Sequence, residues 1–377
     1  MTIEDELRHR PQEFRDYLAS RGLAYDPTTQ VDMLACTLGS QFLLFAGPSG
    51  TGKSTAAKAL AEFFSPPSRR ATIDARPAWT SSEDLAGQYS VFAGEFVLGP
   101  ATEDLVRLGS TSEDGPPILI VEEANLSPME AYIGPVITAA SPIVFKELKW
   151  PLHRHSKHVS GPSSEESAQV PGEVVLSPFP RIFATVNVDS TAEAPAPKVS
   201  GRACVVLLEP PDIETAVISV DALSNEAIPP PTPPGAPLLR DPRSAWASHL
   251  HTGPEGRYTN ALRGLLDIIA NSAGRTQNIV SPRDVQRCVT YMSWHVPLAE
   301  AAQEGGLLPQ TTDVQSAENS ILHFVLPGLS SQQFGQALEP LTDVATEDGL
   351  LKRRLTRLLA GGESLFGVAP DFWASLS

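Results

Sequence analysis

The spacing of apolar residues along the 377-residue chain changes character twice. Over residues 1–20 they recur at helical intervals, and Phe14, Tyr17 and Leu18 share one face. A second helical stretch covers 28–39. Short unbroken apolar runs follow: QFLLFA (Gln41–Ala46), ATIDA (71–75), ILIV (118–121), RIFATV (181–186) and ACVVLL (203–208). Runs of this length without alternation predict strands covered on both faces. Between the first two, a helix is expected from Lys53 to Phe64, stopped by Ser65-Pro66-Pro67. Five buried strands separated by helical or loop stretches predict an α/β fold with a parallel sheet. After Trp246 the period becomes helical again, over 258–271, 281–294, 313–326, 331–346 and 348–360.

This pattern divides the chain into N-terminal helices (1–40), an α/β core (41–210) and an all-helical C-terminal part (211–377), with the break at Pro210-Pro211. The Ser- and Gly-rich stretch 154–178 is expected to be an exposed insertion. The proline run 228–237 (IPPPTPPGAP) must be extended. No internal repeat has a fixed period.

Composition narrows the classes. Lys and Arg number 28 against 44 Asp and Glu, a net charge of −16, so bulk charge does not attract nucleic acid. No run of about 18 apolar residues exists to span a membrane. The first residues, MTIEDELRHRPQEF, are charged throughout and do not read as a secretory signal. Cys36, Cys204 and Cys288 lie far apart without a CxxC pair, which excludes a disulfide scaffold and a zinc knuckle and fits the cytoplasm.

The strongest chemical signal is GPSGTGKST, comprising Gly47, Pro48, Ser49, Gly50, Thr51, Gly52, Lys53, Ser54 and Thr55. It matches G-x-x-x-x-G-K-[ST] between an apolar strand and a helix. Glycines let successive backbone N–H groups turn toward phosphate oxygens, and the following helix adds its positive end. The Lys53 ammonium reaches the β- and γ-phosphates, and the Ser54 hydroxyl ligates Mg²⁺. Such a site needs carboxylates at a neighbouring strand end, and ILIVEEAN (Ile118–Asn125) supplies two. Glu122 would hold Mg²⁺ through water, and Glu123 would orient and polarise the attacking water. Glu122 stands where Asp is usual, pushing its carboxylate about 1.5 Å deeper.

These motifs, with ATVNVDS (184–190), resemble the AAA+ ATPases, and the match is nearest to the McrB-like branch close to the MoxR group. RPAWTSSEDLAGQYS (76–90), EEANLSPMEAYIGPVI (122–137), PKVSGRACVVLLEPP (197–211) and the tail GVAPDFWASLS extend the resemblance from about residue 25 onward. It implies a P-loop AAA+ core followed by a helical lid. Asn187 is similar to sensor 1, positioning the lytic water. Arg202 corresponds to the arginine finger that enters a neighbouring subunit's site, although Gly201 stands where the family has an acidic residue. Arg283 matches the lid arginine called sensor 2, with Arg287 one turn along as the alternative. The resemblance further implies a hexameric ring, with ATP or GTP and Mg²⁺ as cofactors.

Functionally, the resemblance implies a motor subunit of a McrBC-like restriction or antiviral defence system. A separate McrC-like nuclease would be its partner, and DNA would be contacted through the assembly. A MoxR-like chaperone that remodels protein complexes is the alternative, as is a nucleotide-binding switch or scaffold of low turnover. The chain has no nuclease motif, and only about 40 residues precede the first strand, so target recognition is expected elsewhere. His153, His155 and His158 stand beside Arg154 and Lys157 without a carboxylate or cysteine at ligand spacing, so a solvated or partner-facing loop is expected there. Trp79 and Tyr89 are expected to pack rather than stack on bases.

Overall fold

The computed structural model describes residues 3–110, 115–139, 147–153, 159–160, 169–188, 194–209, 256–272, 280–361 and 371–373. Two helices come first, α1 (Ile3–Ser20) and α2 (Pro27–Gly39). Next are strand β1 (Phe42–Gly47), helix α3 (Lys53–Phe64) and strands β2 (Arg70–Asp74), β3 (Ile118–Glu122), β4 (Arg181–Asn187) and β5 (Cys204–Leu207). They form one parallel sheet in the order β5-β1-β4-β3-β2. Each of the five expected strands is present, within one or two residues of its expected bounds. All residues of β1, β3 and β5 are buried, which accounts for their unbroken apolar runs.

The helical region comprises α4 (Arg257–Ser272), α5 (Pro282–Glu304), α6 (Asp313–Phe324), α7 (Ser331–Val344) and α8 (Leu350–Gly361), close to expectation. Their starts are written locally. Ser281 with Asp284, Thr312 with Gln315 and Ser330 with Gln333 form three capping boxes that satisfy the first backbone N–H groups of α5, α6 and α7. The capping side chains also fix where each apolar stripe begins.

This region is packed onto the core. Arg287 on α5 is buried and donates to the carbonyls of Gly201 (3.0 Å) and Ala203, with its guanidinium 4.6 Å from the centre of the Phe324 ring. Arg354 on α8 pairs with Glu209 at 3.0 Å. The N-terminal helices join the same core: Phe14 meets Phe63 edge-on at 5.0 Å, and the Tyr17 hydroxyl donates to Glu62 at 2.6 Å. α2 is buried continuously from Gln30 to Leu38. Among the described residues no helix is long and apolar enough to cross a membrane.

Three findings differ from the sequence reading. The segment after β2 forms an antiparallel hairpin, Gln88–Ser90 with Glu95–Val97. Within it Tyr89 is half-buried, while Trp79 upstream is buried against Tyr132 at 5.1 Å. The end of the expected insertion is ordered sheet, because Glu173–Leu176 pairs with Leu148–Pro151 and buries Val174 and Leu176. Its alternating pattern EVVL was masked by the flanking Ser- and Gly-rich residues. Finally, His153 is half-buried with Nε2 3.1 Å from the Val170 carbonyl. His155, His158, the Pro210-Pro211 boundary and the proline run 228–237 lie outside the described residues.

Candidate nucleotide site

Sheet order builds the site. β1 lies between β4 on one side and β5 on the other, so the loop leaving β1 opens beside the carboxyl end of β4. β3 lies next to β4, which brings Glu122 to the same edge. A crevice beyond the carboxyl ends of parallel strands is where open α/β sheets bind ligands.

The loop Gly47–Gly52 is bent back on itself. Gly50 (φ +83°) and Gly52 (φ +80°) occupy the left-handed region that other side chains avoid. Thr51 Oγ1 closes the turn by donating to the Pro48 carbonyl at 3.0 Å. Lys53 is buried, and its ammonium reaches into the loop to donate to the carbonyls of Gly47 (2.9 Å) and Pro48 (2.6 Å). From the α1–α2 connection, the Tyr25 hydroxyl donates to the Gly52 carbonyl at 3.2 Å. Burial pushes the Tyr25 phenol up to about 12, so it remains a donor at neutral pH. Nothing in the local sequence marked this lone tyrosine as a brace.

Ser54 lies in the first turn of α3, and its hydroxyl donates directly to the Glu122 carboxylate. These residues stand 68 apart in sequence, so their contact follows from the strand order alone. The same carboxylate takes a hydrogen bond from Thr185 Oγ1 (3.1 Å) and pairs with the Lys58 ammonium (2.9 Å). Burial works to raise the Glu122 pKa. Donation by Ser54, Lys58 and Thr185 outweighs burial and holds it below the usual carboxylate range. Glu122 is therefore ionised at neutral pH. A hydroxyl and an ionised carboxylate in contact are hard oxygen donors of the kind Mg²⁺ takes, so the residues present fit that ion.

Glu123 has a left-handed backbone (φ 51°, ψ 42°) that a residue with a side chain rarely adopts. Its N–H donates to Thr185 Oγ1 at 2.9 Å, which helps hold that conformation, and its side chain is exposed at the strand end. Thr185 thus joins both glutamates. The sequence signal for it was a hydroxyl within the otherwise apolar run RIFATV. Asn187, three residues beyond Ala184, ends β4 beside Gly47. Asn125 grips its backbone from both sides: Nδ2 donates to the Asn187 carbonyl (2.9 Å), and Oδ1 accepts from its N–H (3.3 Å).

The structure therefore brings Gly47–Thr55, Glu122, Glu123 and Asn187 to one edge. Arg202 is elsewhere. It precedes β5, whose register sets Leu208 beside the start of the phosphate loop, so Arg202 lies on the order of 20 Å back along the strand direction. Its guanidinium donates to the Ile137 (2.9 Å) and Thr138 (3.3 Å) carbonyls. Arg283, expected as a cofactor ligand, is placed beside Arg202 instead. The two line a cavity of about 310 Å³ with Lys198, Asp284 and Phe324. Its alternative, Arg287, is occupied in holding the helical region to the segment before β5.

No family model matches the chain, and no curated protein matches it. Among solved structures it is similar to a candidate ATPase from Cytophaga hutchinsonii, at 15% identity, covering 80% of this chain and 86% of that one, with a TM-score of 0.46.

Proposed function

We propose that the chain is an AAA+ nucleoside triphosphatase subunit that hydrolyses ATP, or GTP, at sites shared between copies of itself. The observation that carries this reading is the contact of Ser54 with Glu122 under a lysine-bearing glycine loop, with Thr185 tying Glu122 to Glu123. Loop N–H groups and Lys53 bind the triphosphate. Lys53 exchanges two neutral carbonyl partners for anionic oxygens, which strengthens each hydrogen bond. Ser54, and Glu122 through water, would hold Mg²⁺, and the ion supplies charge neutralisation on the β- and γ-phosphates. Glu123 accepts the proton of the attacking water, and Asn187 orients that water. The Arg202 of a neighbouring copy neutralises charge developing on the γ-phosphate, because a chain's own Arg202 is too distant to do so.

Work as a motor in a McrBC-like restriction system, in a hexameric ring with a McrC-like nuclease, is the finer reading and rests on sequence resemblance. One observation favours the second reading, a MoxR-like remodeller of proteins. The hairpin Gln88–Val97 presents Val91 and Phe92 to solvent and contains no Lys or Arg, a tip suited to polypeptide rather than phosphate.

Turnover, nucleotide affinity and particle mass measured together test the proposal. Lys53→Ala should abolish nucleotide binding. Arg202→Ala should keep its affinity yet lose about 10³-fold in turnover of the assembled form. A wild-type chain that binds no purine triphosphate, or an Arg202→Ala chain of full activity, would refute it. Stimulation by duplex DNA and nuclease, against stimulation by unfolded protein, separates the two finer readings.

A further inference from the structure

We propose that Cys36, Cys204 and His323, completed by Asp32, form a buried zinc site that staples the N-terminal helices and the helical region to the edge of the sheet. Asp32 and Cys36 lie one turn apart on α2, Cys204 begins β5, and His323 is near the end of α6. All four are buried, none more than 2% exposed. One donor atom from each of Cys36, Cys204 and His323 lies within 4.8 Å of the other two. Tetrahedral zinc bonds of the usual lengths set neighbouring donors roughly 3.3–3.8 Å apart, so these three close with side-chain shifts of about 1 Å. Asp32 stands outside that set, with Oδ1 3.7 Å from His323 Nε2, and would have to turn toward it to complete the site.

Two buried atoms of the cluster, His323 Nε2 and Asp32 Oδ2, have no hydrogen-bond partner. His323 Nδ1 lies 2.7 Å from the Val205 carbonyl. A carbonyl only accepts, so Nδ1 carries a proton, and Nε2 is buried with no hydrogen-bond partner, 3.7 Å from Asp32 Oδ1. The ring thus fixes Nδ1 on the backbone and turns Nε2 toward the Asp32 carboxylate, and a metal bound there would take the place of the proton that this ion pair holds. Asp32 is divided in the same way. Its Oδ1 accepts from the Tyr291 hydroxyl and from Asn319 Nδ2 (3.2 Å), and lies 3.3 Å from His295 Nε2. Its Oδ2 is buried and has no partner. Tyr291 and Asn319 would then act as the outer shell that orients a ligating carboxylate.

The donor chemistry selects the metal. Two thiols disfavour Mg²⁺ and Ca²⁺, and a set with only two sulfurs lacks the four thiolates of the common iron–sulfur clusters. Two sulfurs, one nitrogen and one oxygen suit closed, four-coordinate zinc. On binding, each cysteine gives its thiol proton to solvent and forms a sulfur–metal bond, the proton that His323 Nε2 shares with Asp32 is released likewise, and no electrons are transferred. This assignment is independent of the nucleotide site.

Full-length chain purified without chelator is expected to carry about one zinc per molecule by elemental mass spectrometry. Exchange for Co²⁺ should give the intense visible bands of four-coordinate cobalt and a thiolate charge-transfer band. Cys204→Ser and His323→Gln should each lower retained metal at least about tenfold. Cys288→Ser, whose sulfur lies outside the set at 3.7 Å from the Ser320 carbonyl, should retain it. Because a buried substitution can unfold the chain, the cobalt spectrum of the unaltered protein is the second readout. The assignment is overturned if the reduced wild-type chain takes up neither zinc nor cobalt, if folded Cys204→Ser keeps its metal, or if Cys36 and Cys204 are found joined as a disulfide.

Discussion

The Thr185 hydroxyl stands within hydrogen-bond distance of the Glu122 carboxylate, 3.1 Å away, and on its other side accepts the N–H of Glu123 at 2.9 Å. One small side chain on β4 thereby sets the position of both acidic residues at the end of β3. Thr185→Val keeps the volume and removes both bonds. The expected cost is about 1–3 kcal/mol in denaturant stability, from an unsatisfied Glu123 N–H and a less solvated Glu122. Turnover should fall by about tenfold while nucleotide affinity, set by the loop around Lys53, stays within about twofold. Equal losses in affinity and turnover would show that Thr185 acts on the loop instead.

Glu123 offers a separation of stability from chemistry. Its left-handed backbone costs on the order of 1–2 kcal/mol for a residue with a side chain, and glycine avoids that cost. Glu123→Gly should therefore raise the melting temperature or leave it unchanged, and still lose hydrolysis. Glu123→Gln should keep the strain, bind ATP and trap it unhydrolysed. Calorimetry with single-turnover assays checks both. Full-rate hydrolysis by either variant would remove Glu123 from the role of base.

Arg283 and Arg287 should behave oppositely although they share one helix. Arg287→Ala strands the buried Ala203 carbonyl and the half-buried Gly201 carbonyl and removes the cation from the Phe324 ring, for an expected loss of about 2–4 kcal/mol. Arg283→Ala is solvent-exposed and should cost less than about 0.5 kcal/mol. Urea denaturation of the two variants measures the difference directly.

A short helix, Ser82–Ala86, leads into the hairpin and has a pH signature. Asp84 accepts backbone N–H groups from Thr80 (2.7 Å) and Ser81 (2.9 Å), and these bonds hold its pKa below the ordinary value. A carboxyl depressed in the folded chain contributes stability above its unfolded pKa and loses that contribution as pH falls through the folded one. The gap in stability between wild type and Asp84→Ala should be widest at neutral pH and shrink as pH drops below about 4. A gap constant from pH 7 to pH 3 would show that the charge is not what holds the helix start.

Much of this was readable in the chain. Five apolar runs became five strands because a sheet covered on both faces leaves no polar positions to confuse the pattern. The phosphate loop and the pair Glu122-Glu123 were legible for a related reason: each is written in consecutive residues. Thr185, Tyr25 and Lys58 were not, since their roles arise from sheet order and helix packing that bring separate segments together. The Asp32–His323 cluster was hidden in the same way, with ligands on three elements whose neighbourhood no local spacing encodes. Arg283 illustrates the reverse case, a residue visible in its motif whose position was not. Its motif was visible, but the capping box at Ser281 and the grip of Arg287 fix the start of α5 beside Arg202, away from the loop of its own chain.

The separation of Lys53 from Arg202 along the sheet has a genetic consequence. If sites are shared between copies as proposed, a subunit crippled at its lysine still offers an intact guanidinium to the next molecule, and one lacking that guanidinium still has a sound pocket to be completed. Lys53→Ala and Arg202→Ala preparations, each inert alone, should recover partial turnover when blended, with a maximum near equal proportions. In a cell making both alleles, two null mutations would complement each other within a single polypeptide species.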